Sequence, residues 1–226
     1  MKDIGFKVWL KLPDAIRVPL DILRRRRYWN EAGVIFIHVP KAAGVSVSRA
    51  LYGRPLGHFF ARDIRRVCPV EFKDLPTFAV VRNPIDRLFS AYRFAKAGGT
   101  GEMGMANPEL YQSEYFASFD KFVCEWLFKQ DINRVDGVFK PQHLYFCNED
   151  EVIVDKIIKL EQLDQGMREI STLIGRDIVF GHHNKSQELP FMIRSSETRK
   201  IIAHIYKKDF EILGYSSEQT SLLLST

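Results

Sequence analysis

Short apolar runs alternate along the chain with longer segments in which apolar residues recur at helical spacing. The runs VIFIHV (34–39) and TFAVV (77–81) are rich in β-branched and aromatic residues and lack strict alternation of apolar and polar positions. Such runs are typical of parallel strands covered on both faces, so we predict both as central strands. The run DKIIKL (155–160) is a third candidate strand. This order of elements predicts an α/β fold with a three-layer parallel sheet.

Helices are predicted between the strands. Helical periodicity begins at Val45, Pro84 and Ser118. Proline fits the first turn of a helix because its missing N–H would have no intrahelical partner there. By contrast, the segments 106–116 and 182–191 break all periodicity and contain Pro, Asn, Gln and Ser, so we predict loops near a site.

The later part of the chain continues the pattern. The segment 164–175 is predicted as a helix that its last glycine ends in a left-handed conformation. A final helix is predicted over 195–213, with one of its first two residues, both serines, as N-cap and Gly214 at its end. Together with a helical lead-in over residues 1–33, these elements predict a single domain over residues 1–226.

Composition narrows the class of protein. Of the 226 residues, 46% are hydrophobic and 27% are charged, which is typical of a folded protein. No apolar run reaches the ~18 to 20 residues of a membrane span, and charged residues interrupt the beginning of the chain where a signal peptide needs an apolar core. The three cysteines lie far apart and in no CxxC spacing, so we expect no disulfide framework and no metal site. These features predict a cytoplasmic protein.

The net charge favours an anionic ligand. The 33 Lys and Arg against 28 Asp and Glu leave +5, well short of the charge expected for a nucleic-acid partner. A run of four arginines begins at Arg24 and ends at Arg27, and it could make a peripheral contact with anionic lipid or with a polyanionic substrate. The alternative is an ordinary solvated basic helix face.

The loop PKAAGVS (40–46) joins the first predicted strand to a helix. This connection directs backbone N–H groups and the positive end of a helix dipole toward one point, which favours an anion. Lys41 adds a positive charge, Gly44 allows close approach of the backbone, and the hydroxyl of Ser46 can donate a hydrogen bond. The triphosphate-binding sequence GxxxxGK[ST] is absent, because here the lysine precedes the glycine. The loop is therefore a phosphate site of another kind or a structural strand-to-helix turn.

The segment FAVVRNPIDRLFSAYRF (78–94) repeats the order of strand, short loop and helix. Arg82 stands at the end of the strand, and Arg87 and Ser90 share one face of the helix because they are three residues apart. Two guanidinium groups and a hydroxyl in this order could bind a second phosphate. A surface salt bridge is the alternative for each arginine.

Together, PKAAGVS and RNPIDRLFSAY (82–92) resemble the paired motifs of sulfotransferases that use 3′-phosphoadenosine 5′-phosphosulfate (PAPS), in the carbohydrate-type branch that includes the heparan 2-O-sulfotransferases. In that family a PKTGGTS-like loop holds the 5′-phosphosulfate and RxPxxRxxSxY holds the 3′-phosphate. The resemblance continues through FKPQHLYF (139–146), KLEQL (159–163), HHNKS (182–186) and IYKKDFEILGY (205–215). It implies P-loop-like strand-loop-helix units, PAPS as co-substrate and adenosine 3′,5′-bisphosphate as product.

The resemblance also implies roles for individual residues. Lys41 would balance charge on the leaving phosphate, and Arg82 and Ser90 would bind the 3′-phosphate. The 5′-phosphate would be held by Ser46 and by the backbone of Ala42, Ala43, Gly44 and Val45. Ala42 and Val45 replace threonines that the family often has. The loss of these hydroxyl donors predicts weaker binding of the co-substrate unless backbone donors compensate.

Transfer of a sulfuryl group to a hydroxyl needs a base near the acceptor oxygen. His58, in GHFFARDIRR (57–66), resembles the proposed catalytic histidine of the 2-O-sulfotransferase branch, and an unperturbed imidazole is substantially neutral at pH 7. The alternative for His58 is a role in packing or orientation. His38 lies inside the apolar strand and is predicted as a hydrogen-bonded core residue.

Some residues of the later motifs are weaker candidates. Lys185 could contact PAPS or be a solvated loop residue. His182 and His183 are not expected to bind metal, because neighbours in sequence seldom converge on one ion. Gln142 and Glu161 match motif positions and are expected to have structural or acceptor-positioning roles.

The predicted activity is transfer of a sulfuryl group to a hydroxyl of a carbohydrate, glycolipid or polysaccharide. A basic rim formed by Arg62, Arg65 and Arg66 would suit an anionic acceptor, with a solvated helix face as the alternative. A P-loop kinase or nucleotidase and a non-catalytic phosphoadenosine-binding protein are the alternative functions. The oligomeric state is left open.

Overall fold

The computed structural model describes residues 13–100, 104–105, 107–178, 193 and 195–218. Their contacts divide the chain into two compact units. Of the described residues, the first unit holds 13–39, 43–80 and 144–178, and the second unit holds 40–42, 81–143, 193 and 195–218, with the gaps given above. That the chain is a single domain remains a prediction. No helix within the described part of the chain is long and apolar enough to cross a membrane.

The elements are named in chain order. The helices are α1 (Asp14–Ala32), α2 (Gly44–Tyr52), α3 (Ala61–Val67), α4 (Pro69–Asp74), α5 (Pro84–Lys96), α6 (Phe119–Lys121), α7 (His143–Phe146), α8 (Leu163–Ile174), α9 (Ser196–Ile205) and α10 (Lys207–Leu213). The strands are β1 (Ile35–Ile37), β2 (Thr77–Val81), β3 (Cys147–Asn148), β4 (Glu151–Val152) and β5 (Lys156–Lys159). A π-helical turn, Phe122–Trp126, follows α6, and short 3-10 helices lie at Pro108–Tyr111, Glu114–Phe116, Leu127–Lys129, Gly137–Phe139 and Leu160–Gln162.

The first unit is built on a small parallel sheet, which confirms the α/β class predicted from the sequence. The sheet has three strands in the order β1-β2-β5, and β3 and β4 form a separate antiparallel pair. Strands β1 and β2 run parallel, with Ile35 opposite Thr77 and Ile37 opposite Ala79. Every residue of both strands is buried, in agreement with their continuous apolar sequence. Among these three strands β2 is central as predicted, whereas β1 lies at one end.

A tyrosine covers the outer edge of β1. The N–H of Phe36 donates to the Tyr52 hydroxyl at 2.8 Å, and that hydroxyl donates to the carbonyl of Val34 at 3.1 Å. Burial raises the pKa of Tyr52 well above its ordinary value, so the hydroxyl keeps the proton that it donates. One side chain at the end of α2 thus takes the place of a neighbouring strand, which would otherwise satisfy these groups.

The second unit is organised around aromatic rings. Tyr92 from α5 lies close to Phe116, Phe119 and Phe122, with ring centroids 6.0, 5.5 and 5.3 Å away. The buried cluster continues through Trp126 and Phe139 to side chains of α9 and α10. Aromatic pairs at these distances add to the free energy of burial, so the cluster fixes the position of α5 within the unit.

The helices of this unit differ in detail from the predicted ones. The segment predicted to begin at Ser118 is helical and Ser118 caps it, but its middle is a π-turn that apolar spacing does not indicate. The predicted helix 195–213 is two helices, because the chain breaks at Tyr206, whose buried hydroxyl donates to the carbonyl of Phe139. Gly214 ends the second of them with a φ of 63°, as predicted.

The other predicted ends agree closely with the structure. Helix α8 ends at Gly175, whose φ is 64°, and α5 begins at Pro84 after Asn83, whose side chain accepts from the N–H of Ile85. Helix α2 begins at Gly44, one residue before its predicted start.

We predict that Tyr52→Phe lowers the free energy of unfolding by about 1–3 kcal/mol, because the N–H of Phe36 and the carbonyl of Val34 lose their partner. Urea unfolding monitored by circular dichroism measures this difference. Tyr28→Phe is the matched control, since the Tyr28 hydroxyl accepts from the exposed side chains of Arg27 and Arg54, and it should change stability by less than about 0.5 kcal/mol. Equal stability of Tyr52→Phe and wild type would contradict the role given to this hydroxyl.

Candidate functional site

The loop between β1 and α2 has a left-handed backbone at two residues that are not glycine. Lys41 has a φ of 67° and Ala43 a φ of 57°. The family motif has glycine where this chain has Ala43, and the left-handed φ gives the physical reason for that glycine. The loop belongs to the second unit at 40–42 and to the first unit from Ala43 onward.

The beginning of α2 directs backbone donors out of the helix. The first intrahelical hydrogen bond runs from the N–H of Val47 to the carbonyl of Ala43 at 3.2 Å, so the N–H groups of Gly44, Val45 and Ser46 precede it. Ala43 stands at the N-cap and makes no side-chain capping bond to them. These donors and the positive end of the helix dipole suit a phosphate or phosphosulfate oxygen, so the chemistry of the donor set fits PAPS.

Gly44 is required by a steric contact with His38. A Cβ added at Gly44 would lie 1.8 Å from Cδ2 and 2.0 Å from Nε2 of the His38 ring, far closer than any real contact. The ring of His38 therefore occupies the volume that a larger residue at position 44 would need. This glycine serves the packing of the loop against β1 rather than an unusual φ.

His38 and His58 form a pair in the first unit. The Nδ1 of His58 hydrogen-bonds to the carbonyl of His38 at 3.0 Å, and the two ring centroids are 4.0 Å apart. Because a carbonyl only accepts, Nδ1 of His58 carries the hydrogen, and in the neutral ring Nε2 carries the lone pair. The His58 side chain is exposed, so this nitrogen belongs to a ring that solvent reaches.

His38 is a buried residue, as expected, but its ring is not hydrogen-bonded through Nδ1. That atom is buried and has no partner among the described residues. Burial, together with the neighbouring His58, holds the pKa of His38 well below its ordinary value. His38 is therefore neutral at pH 7, and it supports His58 through its backbone carbonyl.

Lys41 lies against helix α5 in the second unit. Its Nζ is 4.4 Å from the centre of the Phe94 ring. Phe94 follows Ser90 by four residues, so the two side chains are neighbours on one face of α5. The ammonium group of Lys41 thus contacts the face of α5 that carries Ser90.

A buried amide fixes the main chain of Arg82. The side chain of Gln142 accepts from the N–H of Arg82 at 3.0 Å and donates to its carbonyl at 2.8 Å. Asp209 in turn accepts from the N–H groups of Gln142 and His143, at 2.8 and 2.9 Å, and it pairs with the His143 ring at 2.7 Å. Gln142 and Asp209 are fully buried. Sequence reasoning identified Gln142 through its motif, whereas Asp209 lies in the motif 205–215 but received no role there.

Arg87 is fully buried, and its contacts differ from those expected of a phosphate ligand. It donates to the carbonyls of Val138 at 2.9 Å and Lys140 at 2.8 Å, and its guanidinium lies 5.7 Å from the centre of the Tyr206 ring. The expectation that Arg87 clamps a phosphate with Ser90 is therefore corrected, because its guanidinium donates to these main-chain carbonyls. Its Nε is buried without a partner in the described part of the chain.

Other candidates can be placed or set aside. Lys185, His182 and His183 lie outside the described residues. Glu161 is exposed in the 3-10 helix Leu160–Gln162. Among the residues that the structure describes, no group of three or more His, Cys, Asp or Glu side chains is arranged to hold a metal ion.

A protein-family model described as the sulfotransferase family matches residues 28–216, which is most of the chain. The chain therefore belongs to the sulfotransferase family, and the family defines an enzyme that transfers a sulfuryl group with PAPS as co-substrate. No match was found among curated proteins or among solved structures.

We predict that Gly44→Ala destabilises the protein by about 1–3 kcal/mol, the usual cost of overpacking, because the new methyl group must displace the His38 ring. In a His38→Ala background, which vacates that volume, Gly44→Ala should cost far less. A double-mutant cycle measured by urea unfolding gives the interaction between the two sites. Additive effects of the two substitutions would contradict the shared volume.

Proposed function

We propose that this enzyme transfers a sulfuryl group from PAPS to a hydroxyl of a carbohydrate, glycolipid or polysaccharide, as in the carbohydrate-type branch. The observation that carries the proposal is the position of the Lys41 ammonium against Phe94, one helical turn beyond Ser90. PAPS carries its 5′-phosphosulfate and its 3′-phosphate on one ribose, so the loop and the second motif would have to bind one molecule at the same time. We also propose that helices cover both faces of the sheet in three layers.

The loop would bind the 5′-phosphosulfate mainly through its main chain. The N–H groups of Gly44, Val45 and Ser46 point out of the helix beginning, and the Ser46 hydroxyl adds a donor. Ala42 and Val45 offer no hydroxyl, so the backbone and Lys41 supply most of the attraction. Lys41 would balance the negative charge that grows on the leaving phosphate.

Arg82 and Ser90 would bind the 3′-phosphate. The main chain of Arg82 is held by Gln142, so the side chain starts from a fixed position and loses less entropy when it binds. Ser90 is buried on α5, whose position the aromatic cluster determines. Lys185 is proposed as a further contact from the sequence alone.

His58 would act as the general base. Its Nδ1 is tied to the His38 carbonyl, so Nε2 is the nitrogen that accepts a proton in the neutral ring. As the acceptor oxygen bonds to sulfur, the bond from sulfur to the bridging phosphate oxygen breaks and its electron pair stays with the phosphate. The hydroxyl proton passes to Nε2 of His58.

The acceptor is proposed to be a sugar that carries negative charge. A cavity of about 420 Å³ in the first unit is lined by Arg62, Asp63, Arg65, Arg66 and Asn148. The guanidinium of Arg62 lies 4.8 Å from the centre of the Phe60 ring, and Phe60 lies 4.9 Å from Tyr145. Arginines beside aromatic rings suit an anionic glycan, since sugars stack on rings and arginine pairs with carboxylate or sulfate.

Transfer of label from PAPS to a panel of glycans and glycolipids tests the activity. A thermal shift with adenosine 3′,5′-bisphosphate but not with ATP or GTP would support the co-substrate, because a ligand of the native state raises its melting temperature. A shift with ATP and Mg²⁺ alone would favour a P-loop kinase or nucleotidase. Binding of the bisphosphate without transfer to any acceptor would favour a non-catalytic phosphoadenosine-binding protein.

We predict that Arg82→Ala weakens binding of adenosine 3′,5′-bisphosphate by about 1.5–3 kcal/mol, the usual contribution of a hydrogen bond to a charged group. Its affinity for AMP should not change, because AMP has no 3′-phosphate. The bonds of Gln142 go to main-chain atoms of residue 82, so truncation of the side chain leaves them in place. Calorimetry with both nucleotides makes the comparison, and Arg93→Ala, which changes an exposed arginine of helix α5, is the control. Unchanged bisphosphate affinity in Arg82→Ala would remove Arg82 from the site.

We predict that His58→Ala lowers turnover by roughly 10² to 10⁴ while bisphosphate binding stays nearly intact, as expected for loss of a general base. The wild-type rate should fall toward acid pH as the His58 imidazole is protonated. His38 does not account for a decline near neutral pH, since its pKa lies well below the ordinary value. Lys41→Ala should instead lower both affinity and rate. A pH–rate profile of His58→Ala that keeps the wild-type rate and acid limb would assign the proton to another group.

A further inference from the structure

Helix α1 exposes an apolar stripe. Ile16, Leu20 and Leu23 are 50%, 39% and 47% exposed, and their spacing of four and three residues places them on one face. The opposite face of the helix packs into the first unit through Ile22 and Trp29, which are buried. The exposed stripe therefore takes no part in the core of that unit.

Arginines surround this stripe. Arg24 and Arg27 are exposed and follow Leu20 and Leu23 by four residues, which places them on the same face. The other two arginines of the run have structural contacts: Arg25 donates to the carbonyl of Leu56 at 3.0 Å, and Arg26 pairs with Glu71. Arg24 lies 4.0 Å from Asp21, and Arg27 donates to the Tyr28 hydroxyl. The run is thus divided between two arginines that contact residues beyond α1 and two whose exposed side chains contact neighbours on α1 itself.

The net positive charge of the chain comes from its first 27 residues. Residues 1–27 contain eight Lys and Arg and three Asp, a net charge of +5 that equals that of the whole chain. Residues 28–226 contain 25 basic and 25 acidic side chains and are neutral overall. The match to the sulfotransferase family begins at residue 28, so the charged segment lies outside the matched region.

We propose that the face of α1 formed by Ile16, Leu20, Leu23, Arg24 and Arg27 docks on an anionic lipid bilayer. The helix lies in the plane of the interface, its apolar stripe enters the boundary between headgroups and acyl chains, and the arginines meet lipid phosphates and carboxylates. A second copy of the chain is a poorer occupant, because two segments of net charge +5 repel. A soluble polyanion would use the arginines but not the stripe. This docking is independent of the proposed reaction.

Cosedimentation of the full chain with vesicles tests the proposal. Binding should be at least about tenfold stronger to vesicles of phosphatidylcholine with phosphatidylserine than to phosphatidylcholine alone, and added salt should weaken it. Equal binding to both kinds of vesicle, or no binding to either, would overturn the proposal.

Two variants separate the contributions of stripe and charge. Ile16→Gln/Leu20→Gln/Leu23→Gln should lose roughly tenfold or more in affinity for the anionic vesicles, because the apolar insertion is removed. Arg24→Gln/Arg27→Gln should lose roughly 25-fold, from about fivefold for each basic residue near the surface. The matched control is Val70→Gln/Leu173→Gln, which changes apolar side chains of the first unit that are 61% and 59% exposed and should bind as wild type. Thermal unfolding of every variant checks that the fold is kept.

Competing occupants give distinct results. Undiminished vesicle binding by the triple glutamine variant would overturn the proposal, as would equal loss in the control variant. A dimer in light scattering that the triple variant dissociates would identify a second copy as the occupant and overturn it. Binding to polyphosphate that is as tight as binding to vesicles, with neither affinity lowered by the triple glutamine substitution, would overturn the proposal. The face would then be a site for soluble polyanions.

Discussion

The parallel pairing of β1 with β2 determines where both motif sequences begin. The register places Ile37 opposite Ala79, so the two strands end at the same edge of the sheet. Open α/β sheets bind ligands at this edge, where strand ends expose main-chain donors and helices begin. The start of β2 is fixed by Thr77, whose N–H and hydroxyl donate to Asp155 at 2.7 and 2.8 Å. Both motifs therefore depend on the position of this pair of strands.

Buried polar side chains in the second unit act on the main chain of the motif residues. The side chain of Gln142 makes the hydrogen bonds to the Arg82 main chain that a neighbouring strand would otherwise make. Asp209 in turn accepts from the N–H of Gln142. Arg87 donates to the carbonyls of Val138 and Lys140, in the segment that precedes Gln142. Each buried polar group is costly unless its hydrogen bonds are made, so the loss of any of these bonds should destabilise the second unit. The first arginine of the pattern RxPxxRxxSxY is thus held through its main chain, whereas the guanidinium of the second holds main-chain carbonyls elsewhere in the second unit.

The sequence predicted the features that local spacing encodes. Continuous apolar runs predicted β1 and β2, Pro84 marked the beginning of α5, and Gly214 marked the end of α10. It did not predict the Gln142–Asp209 contact or the Tyr52 contact with β1, because these join residues that are distant in sequence and leave no periodic trace. The break at Tyr206 leaves no trace in the apolar spacing, and the left-handed Ala43 contradicts local preference. The roles of Lys41, His58, Arg82 and Ser90 rest on resemblance and remain predictions.

The contact between His38 and Gly44 has a consequence for how such enzymes diverge. The imidazole fills the volume beside Gly44, while the carbonyl of the same residue orients His58. A larger residue at position 44 becomes acceptable only after position 38 has become smaller, and the backbone carbonyl survives that exchange. A related chain could therefore carry a smaller residue at position 38 together with a larger one at position 44, and its main-chain carbonyl would still orient the same histidine. The order of those steps is biased, because a change at position 44 alone carries the cost of overpacking.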